Sequence, residues 1–554
     1  MVLCCLAGAV AVATDAYFSA QEGYLARPPD YDGISYLISA RTPYLLLRSL
    51  HVRTALHDLL HSISPLWIST LTTQQLILGD GTWQAFSARF WAVALLLILV
   101  YWIVSRRATR SLAIAAVVVT ALLPVVSAGL RASSWEYVTG QTNYFEHWYL
   151  DDLRPDFFAI VLILWSVAAL AEHSQPPRRS AYVVSAAFAA AAVLAKSSTA
   201  PVALVAWAIA LGITWFRNRR SKDATRMTLL AAALLAVLLV PWAVFGGGVE
   251  TVVAYLKAIT AFQGAYASSG GLIGGFTFFP VRIPTQLGPI EGWVVIGGAV
   301  FVTVALLRRQ LTSAELIYAA LVPLFYMAFS LPPSKSIQLG IWISLSIWIF
   351  FLAGATRLAA ATWPQPIKRA APLPLFAVST YALIVYGGGA FALANWPTSE
   401  QRPDAQMLMV TKEVANELGR HISVDQCFAY VPGPGWPSSL TYMLMDAKGN
   451  APSSTAIDVD PTATTISDYV GSASMCAAVM AYREDIGDVA RVFFAPLVRQ
   501  PYLRAVAQWV RSPDSGFSLD RTWRFSNLPP SGPHQLGHYQ GVSLTVDLYL
   551  RTAV

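Results

Sequence analysis

The chain has 554 residues, of which 55% are hydrophobic and only 12% are charged, and its mean hydropathy is +0.51. The mean hydropathy lies far above that of soluble globular proteins, and the charged fraction lies well below theirs, which excludes that class. The formal net charge of +7 requires no nucleic-acid partner, because cationic loops and their attraction to anionic membrane lipids account for it. The composition therefore indicates a protein embedded in a membrane.

Apolar runs close to the length that crosses a bilayer, about 20 helical residues, recur along the first 395 residues. They lie near 2–18, 86–104, 112–130, 156–171, 181–195, 199–216, 227–245, 290–307, 312–331, 337–356 and 371–394. The sequence therefore predicts a polytopic α-helical membrane protein with about eleven spans. The end of the first run, Ala11-Val12-Ala13, is also typical of a signal-peptide cleavage site, and either interpretation places the following residues on the same side.

The orientation follows from the distribution of Lys and Arg, because cationic loops are retained in the cytoplasm. One set of short loops, 47 residues in all, holds 15 Lys and Arg, whereas the opposite set is about three times longer and holds ten. The first set comprises 105–111, 171–180, 217–226, 308–311 and 355–370. These loops are predicted to be cytoplasmic, so the segment around residue 30 and everything after residue 394 face outward.

Three outward segments differ in character. Residues 19–85 mix apolar residues with Arg and His at helical spacing, which predicts two amphipathic helices on the outer membrane face. The glycine pairs and triplets of 246–289 predict a mobile external loop. Residues 396–554 regain ordinary charge and alternating strand-like runs, which predicts a small external α/β domain. Its cysteines, Cys427 and Cys476, are either free or disulfide-bonded, since spacing alone does not decide between the two.

Four short motifs, in order, carry a family resemblance. They are "DYDGISYLISA" (30–40), "SPLW" (64–67), "LRPDFFAIV" (153–161) and "LAKSS" (194–198). The sequence of these motifs over residues 1–395 resembles the GT-C membrane glycosyltransferases, in particular the branch of bacterial aminoarabinose and galacturonic acid transferases and protein O-mannosyltransferases. The resemblance implies a donor sugar linked to a polyprenyl phosphate. It identifies no certain cofactor, and it leaves a divalent cation possible because some members of the family use or bind one.

The resemblance also implies roles for residues. The first outer loop of the family carries an Asp with a Tyr four positions later, which Asp32 and Tyr36 match. Gly33 replaces the second acidic residue of the family, so Asp30 is a rival or helper. Sugar stacking is a further role open to Tyr36.

Later motifs supply the other candidates. Asp156 matches the second acidic residue of the family, which implies positioning of the acceptor. Lys196 matches the lysine of an "LTKG" step, here without its glycine, and Lys335 in "PPSK" matches a lysine near the carrier phosphate. Arg282 in "FFPVRIP" is a third candidate cation.

The chemistry of sugar transfer explains why these residue types would be needed. An acceptor hydroxyl must lose a proton as it attacks the anomeric carbon, and a carboxylate is a suitable general base, a role we assign to Asp32. Direct displacement with one base predicts inversion. Lys335, Lys196 and Arg282 would stabilise the negative charge that grows on the departing phosphate.

Each residue also has a purely structural interpretation. "PPDYDG" has the composition of a turn, which would explain Asp30 and Asp32. Lysines at span ends commonly extend their amines to lipid headgroups. Asp156 could be a helix cap paired with Arg154. The pairs His57 with His61 and His147 with Asp151 have the spacing of metal ligands, so a divalent cation is an alternative, although interfacial helices use the same residues.

Taken with the resemblance, these patterns predict an inverting glycosyltransferase of the bacterial inner membrane. Its site and C-terminal domain would face the periplasm, and its acceptor would be an envelope glycan, a lipid or a protein. A flippase of lipid-linked sugars is the first alternative, but such transporters place ionisable residues near mid-membrane, where these runs hold few. An oligosaccharide ligase or polymerase is the second alternative, because the same groups would serve it.

Overall fold

A computed structural model provides the fold of the chain. It describes residues 1–22, 31–123, 125–126, 153–172, 178–261, 271–287, 291–308, 311–332, 339–362, 403–431, 436–446, 450–456, 466–483, 505, 507–528 and 542–552. The predicted span at 371–394 lies outside these ranges.

The N-terminal part of the described chain is helical. Its α-helices are α1 (Val2–Glu22), α2 (Tyr31–Arg48), α3 (Val52–His61), α4 (Pro65–Leu78), α5 (Thr82–Phe86), α6 (Arg89–Ser105), α7 (Arg110–Ala121), α8 (Asp156–Ala171), α9 (Arg179–Ala195), α10 (Ala200–Asn218), α11 (Lys222–Val240), α12 (Gly248–Ala261), α13 (Gly271–Leu287), α14 (Glu291–Leu307), α15 (Ser313–Ser330) and α16 (Gly340–Thr362). A 3-10 turn, Ser197–Thr199, joins α9 to α10, and a π-helical turn, Pro241–Phe245, extends α11.

Many of these helices have the length and composition of membrane spans. Within the described ranges, five are long and apolar enough to cross a bilayer: Gln84–Ser105, Ser197–Asn218, Lys222–Phe245, Ser313–Ser330 and Gly340–Leu358. Shorter apolar helices cover Val2–Ala13, Arg110–Ala121, Asp156–Ala171, Arg179–Ala195 and Val295–Leu307. The chain is therefore a multi-pass membrane protein, and the apolar helices coincide with ten of the predicted runs.

Helix α8 lies at the centre of the bundle. After Asp156 its sequence contains no charged residue, so all of its faces can be buried, and it packs against α6, α9, α10, α15 and α16. Polar atoms at its surface bond to neighbouring helices: Ser166 donates to the carbonyl of Ser185 at 2.7 Å, and the indole of Trp165 donates to the carbonyl of Leu95 at 2.9 Å. Such bonds between helices help to fix their packing where lipid supplies no polar partner.

The segment 19–85 differs from its prediction of two surface helices. The structure places α2, α3, α4 and α5 there. Of these, α3 has the expected amphipathic character, with Ala55 buried and Arg53, His57 and His61 exposed. Helix α4 instead packs inward, with Trp67, Ile68 and Leu71 buried. Its sequence has no charged side chain, which permits burial on more than one face.

The segment 246–289, predicted to be a mobile external loop, is mostly helical in the described ranges. Helices α12 and α13 occupy it, and α13 packs against α14, α15 and α16. The hydroxyl of Tyr326 on α15 donates to the carbonyl of Phe276 on α13 at 2.6 Å. Packing of the aromatic residues overrides the low helix propensity of the glycines. The mobility of this segment stays a prediction.

The C-terminal residues combine helices and strands. Helices α17 (Pro403–His421), α18 (Trp436–Leu444) and α19 (Ile466–Ser474) accompany strands β1 (Cys427–Val431), β2 (Ser453–Ala456), β3 (Ala478–Tyr482), β4 (Phe517–Leu528) and β5 (Val542–Arg551). The described strands form one sheet in the order β2-β1-β3-β5-β4, parallel at β2-β1-β3 and antiparallel at β3-β5-β4.

Both faces of this sheet are covered. Alternate residues of β1 belong to different cores: Phe428 packs with Leu418 of α17 and Leu440 of α18, whereas Ala429 packs with Ala473 of α19. This is the expected consequence of side chains alternating across a strand. We refer to residues 403–552 as the C-terminal layer.

Cys427 and Cys476 form a disulfide bond, which resolves the two alternatives left open by the sequence. Their Cα atoms lie 4.7 Å apart, and the bond connects the start of β1 with the segment that follows α19. It therefore ties β1 to the short connection between α19 and β3.

Candidate functional site

Asp156 and Lys196 form a buried ion pair at one end of the bundle. The ammonium Nζ of Lys196 lies 2.6 Å from Oδ2 of Asp156, and the two side chains are only 11% and 6% exposed. Asp156 is the first residue of α8, and Lys196 stands in extended backbone between α9 and the 3-10 turn. We call this end of the bundle, where α8 begins, the Asp156 end.

The position of the pair is favourable for a negative charge. A helix N-terminus carries partial positive charge, and the ammonium adds a full one. Yet Oδ1 of Asp156 is buried and has no hydrogen-bond partner among the described residues. A buried carboxylate oxygen without a partner is costly, so this atom is available to accept a hydrogen bond from a ligand hydroxyl.

Neighbouring motif residues hold the pair in place. The indole of Trp67, in the "SPLW" motif at the start of α4, donates to the carbonyl of Leu153 at 2.5 Å. The hydroxyl of Ser197 donates to the carbonyl of Ile63, next to the same motif. The rings of Trp67 and Phe158 also lie 5.5 Å apart. The structure therefore brings together three motifs that are far apart in the sequence.

Arg89 is a residue of this end that the sequence did not single out. It begins α6, is buried, and places its guanidinium 5.8 Å from the ring centre of Phe86 and 5.9 Å from that of Phe157. An arginine over aromatic faces is stabilised by their quadrupoles. In the sequence, Arg89 is a single cation near the start of an apolar run, and this pattern could have indicated a functional residue. The same pattern is also typical of the ends of ordinary membrane spans.

Helix α2 carries two of the predicted residues. Tyr36 is half-buried on α2 and packs against the main core of the bundle. Position 32 lies in the first turn of α2, so it is helical rather than part of an isolated turn. Helix α2 packs against α4, and the hydroxyl of Thr72 donates to the carbonyl of Ala40 at 3.1 Å. The side chain of Asp32 lies outside the described part of the chain.

The structure does not describe the side chains of three other predicted residues. Asp30 and Lys335 lie outside the described ranges, and Arg282 belongs to α13 although its side chain is not described. Their roles stay predictions.

The opposite end of α8, which we call the Glu172 end, has its own charged cluster. The guanidinium of Arg107 bonds to both carboxylate oxygens of Glu172, at 2.5 Å and 3.2 Å, and the hydroxyl of Tyr318 donates to the same carboxylate at 2.9 Å. Arg357 pairs with Glu315 nearby in the bundle. The sequence analysis did not identify this cluster, because its members come from four separate helices or helix ends.

The Glu172 end carries cations from the loops that the sequence analysis assigned to the cytoplasm. Arg106 and Arg107 follow α6, and Arg357 lies in the last part of α16. Arg217 lies in the last turn of α10 and donates a hydrogen bond to the carbonyl of Leu311. Their loops are those assigned to the cytoplasm by their charge. The Asp156 end is therefore predicted to face the other side of the membrane.

Of the two residue pairs with the spacing of metal ligands, only His57 and His61 lie in the described ranges. The rings of His57 and His61 stack with centres 3.9 Å apart, and Nδ1 of His61 contacts the carbonyl of His57 at 2.8 Å. His147 and Asp151 lie outside the described ranges. Within them, Glu417, His421 and Asp520 come close enough for a metal, but Arg420 and Arg521 both pair with Glu417. Those two cations oppose binding of a divalent ion.

The fold that carries these two ends has counterparts among solved structures. The chain is similar to ArnT from Cupriavidus metallidurans. The crystal structure of apo ArnT gives a TM-score of 0.51 at 15% identity, covering 87% of this chain and 93% of ArnT. ArnT bound to undecaprenyl phosphate gives 0.52 at 14% identity, covering 98% and 97%. No family model and no curated protein matches the sequence.

Proposed function

We propose that the chain is an inverting glycosyltransferase that moves a monosaccharide from a polyprenyl-phosphate-linked donor to a glycan, lipid or protein acceptor. The reaction would take place on the periplasmic side of a bacterial inner membrane. The observation that carries the proposal is the buried pair of Asp156 and Lys196, with one carboxylate oxygen left unpartnered within the described chain, on a GT-C fold. The undecaprenyl phosphate bound to ArnT supports the class of donor.

In the proposed reaction the acceptor hydroxyl attacks the anomeric carbon of the donor sugar. The new glycosidic bond forms as the bond between that carbon and the phosphate oxygen breaks, and the bonding electrons leave with the carrier phosphate. The proton of the hydroxyl passes to the carboxylate of Asp32. A single displacement of this kind inverts the anomeric configuration.

The ion pair suggests separate roles for its two members. The free Oδ1 of Asp156 is suited to accept a hydrogen bond from the acceptor and so to orient it. Because Nζ of Lys196 contacts the other oxygen at 2.6 Å, much of its charge is compensated, and we assign it to holding Asp156. Lys335 and Arg282 then remain the cations proposed for the carrier phosphate, with Tyr36 and Asp30 beside the sugar.

The proposal is tested by incubating the purified chain, in vesicles, with undecaprenyl-phosphate sugars and measuring release of undecaprenyl phosphate. Asp32→Asn should lower turnover by at least about 100-fold, which is the scale of a lost general base. Asp58→Asn is the matched control, because Asp58 lies on α3 and is 37% exposed, and it should retain parental turnover.

The same vesicles separate the proposal from its alternatives. Movement of the donor between leaflets without release of carrier would identify a flippase. Release of a carrier diphosphate from an oligosaccharide donor, with monosaccharide donors inert, would identify a ligase or polymerase. Either result would replace the proposed activity.

A further inference from the structure

Helix α18 belongs to two hydrophobic cores. Leu440 is fully buried in the core of the C-terminal layer, with Phe428. Tyr442, two residues later and 9% exposed, belongs instead to the main core of the membrane bundle. Met443 packs against both cores. One short helix therefore joins the sheet to the bundle.

Tyr442 contacts two residues of the bundle, Arg41 and Asp80. The guanidinium of Arg41 on α2 lies 4.6 Å from the centre of its ring, and its hydroxyl donates to the carbonyl of Asp80, after α4, at 3.3 Å. Arg41 also pairs with the carboxylate of Asp80 at 3.7 Å. Burial raises the pKa of Tyr442 further than Arg41 lowers it, so the hydroxyl remains protonated and able to donate.

The position of Arg41 on α2 gives this contact its importance. An α-helix turns about 100° per residue, so positions 32 and 36 lie on nearly the same side of α2. Position 41, nine residues after 32, lies on the opposite side. The C-terminal layer thus contacts α2 on the side away from the positions that the proposed reaction uses. Because positions 32, 36 and 41 share one helix, we expect a displacement at Arg41 to shift the other two positions.

We propose that Tyr442 and Arg41 are positioning residues, through which the C-terminal layer holds α2 in the orientation that sugar transfer requires. The effect on the reaction rests on the proposed function, whereas the holding of α2 does not. Neither side chain needs to touch substrate. A cation over a buried aromatic ring contributes about 0.5–2 kcal/mol, enough to change the population of a shifted helix by about 2- to 30-fold.

The first test measures hydrogen exchange of the full chain in detergent. Tyr442→Ala should speed exchange of the amides in 31–48 by about tenfold, because local opening becomes easier. Tyr549→Ala is the matched control: Tyr549 is 7% exposed and lies in the core of the C-terminal layer that faces away from Leu440. Equal exchange of α2 in both variants, or none above parent in Tyr442→Ala, would overturn the proposal.

The second test measures turnover with an undecaprenyl-phosphate sugar. Tyr442→Ala should lower kcat by about tenfold with the donor KM within about twofold of parent, since the donor still binds but the reacting groups are misaligned. Tyr442→Phe keeps the ring under Arg41 and should recover most of kcat. Arg41→Met should reproduce Tyr442→Ala, and the double variant should be no slower than either.

The outcomes separate the two proposals. A parent that turns over no donor would count against the proposed function, while the exchange experiment would still decide whether Tyr442 holds α2. An active parent with an equally active Tyr442→Ala would overturn the positioning role alone. If Tyr442→Ala does not fold, Arg41→Met changes the same contact from the other side and gives the same readouts.

Discussion

Nζ of Lys196 and Oδ2 of Asp156 lie 2.6 Å apart, inside a bundle in which both side chains are nearly buried. Forty residues separate the two in sequence. The contact joins the end of α9 to the start of α8. It places two opposite charges where little water reaches them, so removing either one takes an ion-pair partner from the other.

Breaking this pair should therefore cost more than removing a surface charge. Lys196→Met or Asp156→Asn is expected to lower the free energy of unfolding by about 3 kcal/mol, because a buried charge loses its partner. The double variant should recover part of that loss. Denaturant unfolding in detergent measures the three values, with Lys222→Met, an exposed lysine, as control; single variants as stable as that control would contradict the expectation.

The orientation of the bundle is open to direct labelling. Ser49, after α2, and Lys222, at the start of α11, are both exposed and lie near opposite ends of the bundle. In intact cells a membrane-impermeant thiol reagent should modify Ser49→Cys at once, and Lys222→Cys only after permeabilisation. The reverse pattern would place the Asp156 end in the cytoplasm.

The disulfide should stabilise the C-terminal layer. It joins Cys427 and Cys476 across 49 residues, and the chain-entropy relation gives about 4 kcal/mol for a loop of that length. Replacing both cysteines by serine should lower the stability of the layer by up to that amount, as followed by hydrogen exchange of β1 and β3. A reductant should lower the stability of the layer in the parent protein and leave that of the serine variant unchanged. If the parent is equally stable with and without reductant, the disulfide does not stabilise the layer.

Acid pH should lower the stability of the C-terminal layer through protonation of Glu417. Burial raises the pKa of this carboxyl, but the hydrogen bond with His421 and the charges of Arg521 and Arg420 outweigh it, so the pKa lies below its ordinary value. Because the folded-state pKa is the lower one, the stabilisation is complete above the unfolded pKa and is lost as pH falls through the folded pKa.

The protection factors of α17, which are exchange rates corrected for the intrinsic pH dependence of amide exchange, should therefore fall between neutral and acid pH as Glu417 is protonated. Glu417→Gln should remove most of this pH dependence, whereas Asp514→Asn, at an exposed position, should leave it intact. A pH profile identical in parent and Glu417→Gln would show that other carboxyls control the acid response.

The sequence predicted those features that local pattern determines. Apolar runs located the ten apolar helices of the described ranges. The order of short motifs indicated a fold similar to that of ArnT and drew attention to Asp156 and Lys196. It did not predict that these two residues bind each other, because that contact depends on how α8 and α9 pack. For the same reason it did not reveal Glu172, whose partners Arg107 and Tyr318 come from other helices.

The structure differs from the sequence predictions where tertiary packing overrides composition. Glycine content suggested a loop at 246–289, yet aromatic residues pack α13 into the bundle as a helix. Arg and His among apolar residues suggested surface helices within 19–85, yet α4 packs inward and satisfies three of its hydroxyl groups within the helix. Ser69, Thr70 and Thr73 each donate to a backbone carbonyl four residues earlier. Such bonds satisfy the polar groups of a buried helix and leave little trace in its periodicity.

The two ends of α8 provide the most direct test of the central claim, that sugar transfer takes place at the Asp156 end. Both Asp156 and Glu172 are nearly buried carboxylates, each paired with one cation of the bundle. Release of undecaprenyl phosphate from a lipid-linked donor should fall about 100-fold in Asp156→Asn, while Glu172→Gln, compared at equal folded protein, should stay within about threefold of parent. Full turnover in Asp156→Asn, or an equal loss in both variants, would contradict the account.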